Sequence, residues 1–390
     1  MLSGCSPVEK EYYNLIMEAG SQKVYESSGC MEINVAQLPA EIFEDDEILS
    51  KEKVQQALNQ YRIDYWCKTD LNQGLVQLDM NVVDKTTEEK RASIRMIFRD
   101  DTCYIKVDEF ISYLKEFCDA KDKQELDKVF GDVEYISINY QDIESALEPE
   151  QRDAFKGDIL ENAVEQQMVW RNFYDSLVYN VYDEYTGSLI SKNNNQYTFT
   201  LRGSELVENA KPIAIYTLNN IDKLGRALET VLTGLTQEQA AYLGLNSKHK
   251  EELLSDIDDM VLDVNQNRSR YLQTIETIPA DAQEKINSIL RDSEMNSMIE
   301  KVDNRTYKDS SIMRIQTILG PGRELDFTLK TKETIKTCFA VDVLKPVKVL
   351  TVKELERRMP VTMIVWVDDQ CYTLDKGFDE STDGDINAVI

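Results

Sequence analysis

Histidine is almost missing from this chain: His249 is the single one in 390 residues. That excludes most histidine-dependent triads unless this one serves. His249 stands in the run SKHKEE, at the exposed start of an expected helix, where a solvated imidazole is the better reading. Long apolar runs are missing too. None approaches the roughly 18 residues that a membrane span requires, so any membrane attachment has to be covalent. Cations are scarce: 44 Lys and Arg stand against 71 Asp and Glu, giving a net charge of −27 and a pI near 4.5. Such a surface repels a phosphate backbone, which argues against nucleic acid as a partner, and it disfavours docking on anionic lipid. There is no GxSxG, HExxH, P-loop, or GxGxxG after a strand. No CxxC or Cys-His spacing suits zinc, and no cofactor is expected. Glu and Asp are abundant enough to meet in space, yet no spacing marks a catalytic pair.

What is present is an ordinary globular composition, 42% hydrophobic and 29% charged, in a chain long enough for about two to three domains. The start, Leu2-Ser3-Gly4-Cys5, matches the site at which bacterial lipoproteins are cut and lipidated. Small residues at Ser3 and Gly4 suit an extended peptidase substrate, and the Cys5 thiol would carry a diacylglycerol. The apolar segment that should precede such a site is absent from this chain, and a four-residue coincidence is the plain alternative. With Cys5 set aside, Cys30, Cys67, Cys103, Cys118, Cys338 and Cys371 allow 15 disulfide pairings or none, free buried thiols being an equal reading.

Taken in order, Ser6 to Gln22 reads as a helix, with Ser6 as cap, Pro7 at its first position, Glu9 completing a capping box and Gly20 at its end. Met31, Ile33 and Val35 alternate as a half-buried strand, and a short helix runs from a Ser50 cap to Gln60. Residues 61–107 give the clearest pattern. Ile63, Tyr65, Cys67, Thr69 and Leu71 alternate with charges; then come Val76, Leu78, Met80 and Val82, then Ile94, Met96 and Phe98, then Cys103, Ile105 and Val107. Four strands of period two, each with one apolar face, predict an antiparallel meander covered on one side. Helices are expected at about 108–118 and 122–130, a strand at 133–140, and a long helix over 150–184. A linker, TGSLISKNNNQ, leads to a strand at YTFTLRG and to helices at 212–234, 236–243, 247–264 and about 279–292. Strands resume at SSIMRIQTILG, RELDFTLKTKETIKT and VTMIVWVDDQCYTL. Trp66 falls among charges, on the side of its strand away from Tyr65 and Cys67, where it would mark a contact surface or be a half-buried sheet tryptophan. The acidic tail contains a weak match to a calcium loop at Asp379, Asp383 and Asp385. Its twelfth position is Ile390 where a bidentate Glu is needed, so a solvated tail is the better reading.

The lipobox and first helix, then YESSGCMEINVAQLPAEI, then the strands closing on TCYIKVDEFISYLKE, and finally VTMIVWVDDQCYTLDKGF resemble, in layout, Gram-positive surface lipoproteins of unassigned function. Their architecture is similar to the lipoprotein-carrier (LolA/LppX-like) fold. The resemblance implies an α+β fold: a curved antiparallel β-sheet, a half-open barrel, with helices covering one face. It also implies an apolar or lipid ligand held against Ile63, Tyr65, Leu78, Met80, Ile94, Met96 and Phe98. The expected organisation is a lipobox and helix at 1–22 and a sheet-and-helix domain at 23–390, with a helical insertion at about 204–292 and a boundary near 185–195. The expected function is a non-enzymatic, exported binding module held at the cell membrane. The alternative is an interaction lipoprotein with a packed interior that binds another envelope protein.

Overall fold

The computed structural model describes residues 7–39, 51–99, 101–117, 120–139, 159–185, 189–243, 245–290, 292–318, 324–358, 362–367 and 370–375. In chain order the elements are α1 (Pro7–Gly20), β1 (Val24–Gln37), α2 (Lys51–Gln60), β2 (Tyr61–Asp70), β3 (Leu75–Asp84), β4 (Lys90–Arg99), β5 (Thr102–Lys106), α3 (Asp108–Phe117), α4 (Ala120–Phe130) and β6 (Tyr135–Asn139). Next come α5 (Ile159–Ser176), running into one turn of π-helix (Leu177–Val181), then β7 (Ile190–Asn193), β8 (Gln196–Arg202), α6 (Leu206–Asn219), α7 (Ile221–Gly234), α8 (Gln237–Tyr242), α9 (Ser247–Glu276) and α10 (Ala280–Ile289). The chain continues through β9 (Glu294–Lys301), β10 (Thr306–Ile318), β11 (Glu324–Thr337), β12 (Val349–Thr351), α11 (Val352–Arg358), β13 (Thr362–Val367) and β14 (Gln370–Asp375).

The described residues form the expected α+β fold. Its sheet is curved, has twelve strands, is mostly antiparallel and does not close on itself; β13 and β14 make a separate hairpin. The chain divides into two compact units, Met1–Cys103 with Asn139–Leu344, and Tyr104–Ile138 with Lys345–Ile390. Residues 185–195, where a boundary is expected from the sequence, lie inside the first unit, as does the N-terminal helix.

In the first unit, aspartates at strand ends make the meander. The Asp70 carboxylate accepts from the main-chain N–H groups of Asn72 and Gln73 at 3.1 and 3.2 Å, and Gly74 takes the positive φ of 62° that leads into β3. Asp84 repeats the device after β3, accepting from Thr86 and Thr87 at 2.9 and 3.0 Å. It also accepts from Gln60 Nε2 at 2.8 Å, which ties α2 to the turn. These bonds, Gln60's foremost, hold the Asp84 carboxyl down at about 2. The strands lie in the order β4-β3-β2-β1-β11-β10-β9-β8-β7. The seam at the centre is non-local: β1 pairs with β2 on one side, Gly29 opposite Tyr65, and with β11 on the other, Gly29 opposite Glu333.

Helix α1 covers one face of this sheet at its β7–β10 end. Leu15 and Ala19, one turn apart, bury against Tyr197, Ile299 and Tyr307. Two acids on the same helix clamp it down. Glu11 accepts from the Tyr197 hydroxyl at 2.9 Å and pairs with Lys192 at 2.5 Å. Seven residues on, Glu18 accepts from the Tyr307 hydroxyl at 2.8 Å and pairs with Lys301 at 2.6 Å. Lys192 and Lys301 hold these carboxyls below the usual glutamate value. Helices α6 to α10 all lie between β8 and β9, two strands that are direct partners, with Arg202 opposite Glu294. The helix expected as one at 212–234 is two, because the backbone leaves helical geometry at Asn220 (φ −117°, ψ 24°). Ile221 is buried at the restart. The segment expected at 247–264 is longer, a helix of 30 residues, with Asn246 Oδ1 capping it by accepting from the His249 N–H at 2.9 Å. No helix of the described residues is long and apolar enough to cross a membrane.

The second unit has its own core of Val107, Ile111, Val133 and Leu350, flanked by Ile105, Phe130, Ile136 and Leu355. Here β12 lies parallel to β6, Val349 opposite Tyr135, and Lys348 pairs with Glu134 at 2.6 Å.

Candidate functional site

Alternation puts successive side chains on opposite faces of a strand, so the registers decide which residues meet. On β2, β3 and β4 all seven expected contact residues fall on one face. Ile63 stands opposite Val82; Tyr65, Met80 and Ile94 form one cross-strand row; Leu78 and Met96 lie in the next, beside Cys67; Phe98 stands opposite Val76. The structure therefore brings the seven together. They are not fully covered: Ile94 is 46% exposed, and the other six are half-buried. The same face carries on over β1, β11 and β10 with Met31, Ile33, Leu329, Phe327, Met313 and Ile315, all half-buried. The sequence alone does not show this second stretch, because its joining seam pairs segments about 300 residues apart.

A polar strip interrupts this surface. In the row of Ile94, Met80 and Tyr65 the next partners are Gly29, Glu333, Asp309 and Ile299. Gly29 is required by what crosses it. A Cβ there would lie 2.6 Å from the Tyr65 hydroxyl and would collide with the Lys332 carbonyl. Tyr65 thus lies over Gly29 and reaches Glu333, to which it is hydrogen-bonded. Burial first, and then the Glu333 charge, push the Tyr65 hydroxyl pKa well up. Glu333 and Asp309 are direct cross-strand partners, two acids side by side. Asp309 Oδ1 is inaccessible to solvent and has no hydrogen-bond partner among the described residues. Burial, followed by the Glu333 charge, raises the Asp309 carboxyl above its ordinary value.

The opposite, polar face holds Trp66, which is 48% exposed and so is a surface tryptophan. It borders a trough of about 490 Å³ with Ser28 and Cys30 of β1, Asp64 of β2, Met298 of β9, Lys308 and Ser310 of β10, and Lys332 and Thr334 of β11. Elsewhere in the first unit, a cleft of about 660 Å³ lies among α1, α5, the π-helical turn and α7. It is lined by Asn14, Arg171, Asn172, Asp175 and Asn180, and the Tyr13 hydroxyl donates to Asp175 Oδ1 at 2.6 Å. Apolar contact residues of β2–β4 line neither of these two cavities.

Among the described residues no three His, Cys, Asp or Glu side chains gather to hold a metal. Cys30, Cys67, Cys103 and Cys338 are free thiols, and burial pushes those of Cys67 and Cys103 up. Cys5, the Cys118 and Cys371 side chains, and the tail acids Asp379, Asp383 and Asp385 lie outside the described residues. No family model, curated protein or solved structure matches this chain.

Proposed function

We propose that the protein is a binding module, not a catalyst, that takes an apolar or lipid ligand on the open apolar face of β2, β3 and β4. We include in this reading export to a Gram-positive cell surface and attachment to the membrane through a lipid on Cys5. One observation carries the ligand reading: Ile63, Tyr65, Leu78, Met80, Ile94, Met96 and Phe98 share one sheet face and leave it incompletely covered. Leaving such a surface in water forgoes about 25 cal/mol for every Å² that a ligand would cover. A second reading, contact with another envelope protein, draws support from the openness of the same face, on which a partner's apolar surface could lie.

The test is a fluorescence titration with cis-parinaric acid. Binding is expected to saturate with the wild-type chain and to fall about tenfold or more in Met80→Lys/Ile94→Lys, because a cation set in the patch resists desolvation. Equal binding by both proteins would overturn the site. Native mass spectrometry of protein purified from its own host separates the readings: bound lipid favours the ligand, and a clean mass with a copurified protein favours the partner.

A further inference from the structure

We propose that the trough on the polar face is a separate binding site for an anionic sugar, a hexose ring carrying a phosphate or a carboxylate. Its rim holds an exposed indole, two lysines and three hydroxyls. Alternation sends the Asp309 and Glu333 side chains to the other face, so these strands offer only main chain to the trough floor at those positions. The two acids therefore do not oppose an anion there.

Charge is the most telling feature. Cations are outnumbered in this chain, and several of those in the sheet are paired: Arg62 with Asp64 at 2.9 Å, Arg314 with Asp326 at 3.2 Å, Lys301 with Glu18 at 2.6 Å. Lys308 and Lys332, both exposed, form no ion pair among the described residues. Lys332 has Cys30 and Ser310 as its cross-strand neighbours, neither of them an acid, while Lys308 has Thr334 on one side and Glu300, outside the trough lining, on the other. In a chain of net charge −27, two ammonium groups that form no ion pair among the described residues, set beside one concavity, are a recognition feature for an anion. A compact ammonium is a point charge, which suits a phosphate or carboxylate without demanding a bidentate geometry.

The ring follows from Trp66. An exposed indole beside hydroxyls offers a flat apolar platform with polar groups at its edge. That combination matches a pyranose, whose C–H face is apolar and whose rim carries hydroxyls. Ser28, Ser310 and Thr334 can both donate and accept there. Asp64 is an acceptor already fixed by Arg62, so its orientation is set before a ligand arrives. At about 490 Å³ the trough is within the usual size range of small-ligand sites.

Isothermal titration calorimetry of the full chain with glucose 6-phosphate, glucuronate, glucose, inorganic phosphate and adenosine monophosphate tests the assignment. Both anionic hexoses are expected to bind, at least about tenfold more tightly than glucose or inorganic phosphate. Lys332→Ala, Lys308→Ala and Trp66→Ala are each expected to weaken them about tenfold, and added salt to weaken the wild type. cis-Parinaric acid binding should stay unchanged in all three variants, which keeps this site apart from the apolar face. Absence of heat with both hexoses up to about 10 mM would overturn the proposal. So would binding that survives all three substitutions, or equal or tighter binding of inorganic phosphate or the nucleotide.

Discussion

Replacing Asp309 by Asn should stabilise the protein at neutral pH, against the usual direction for a substitution in a sheet. Asp309 and Glu333 face each other directly on β10 and β11, and Asp309 Oδ1 is buried with no hydrogen-bond partner among the described residues. For side chains about 5 Å apart, Coulomb's law at an effective dielectric of about 20 gives a repulsion of about 3 kcal/mol as a ceiling. Residual solvent access lowers it. An amide at 309 abolishes the repulsion and gives Glu333 a donor, so the expected gain is about 1–2 kcal/mol at pH 7. The pH dependence supplies the stronger check. The folded-state value for Asp309 lies above the ordinary 3.8, raised by burial and by Glu333. Between 3.8 and that raised value the folded chain therefore binds more protons than the unfolded one. The contribution of Asp309 to wild-type stability falls as pH rises through this window and then levels. The Asn variant lacks the term, so its advantage is expected at pH 7 and should shrink at or below pH 3.8. Urea unfolding followed by tryptophan fluorescence, with m-values compared, measures both points. A variant less stable than wild type at pH 7, or an advantage that does not change with pH, would refute the reasoning.

Two further outcomes follow from features already described. Gly29→Ala should be destabilised by about 1–2 kcal/mol in the same urea assay, since overpacking against Tyr65 and the Lys332 carbonyl outweighs the small gain from a stiffer unfolded chain; stability equal to wild type would show that Tyr65 does not cross there. Cys5→Ala in the precursor should move the protein from the membrane to the soluble fraction on ultracentrifugation, and retention in the membrane would reject the anchor.

The sequence was legible where period and punctuation agreed. In 61–107 the first two alternating runs end at residues that turn the chain, Asp70 and Asp84, and all four expected strands are present. It was less legible where one cue was silent. The strand EMNSMIEK has little apolar contrast between its two sides, so β9 did not stand out. Strand β7 hid in what read as a linker, where Asn194, at φ 54°, turns a tight hairpin. VTMIVWVDDQCYTL, which reads as one strand, is a hairpin in which Val367 faces Gln370. The seven contact residues could be assigned to one face because their strands are neighbours in sequence as well as in space. Glu333, Asp309 and Gly29 could not be brought together that way, since nothing local tells β1 that its second partner is β11. Trp66 could be placed on the charged side by parity alone, but its neighbours Lys308 and Lys332 come from strands whose position depends on that same seam.

The seam also sets a schedule for assembly. During synthesis β1 emerges early and can zip to β2 at once, yet its other edge has to wait until Glu324–Thr337 has been made. Until then the growing polypeptide presents an unsatisfied row of main-chain donors and acceptors flanked by greasy side chains, the situation that invites pairing with a stranger. A chain stopped short of Glu324 would keep that raw edge permanently.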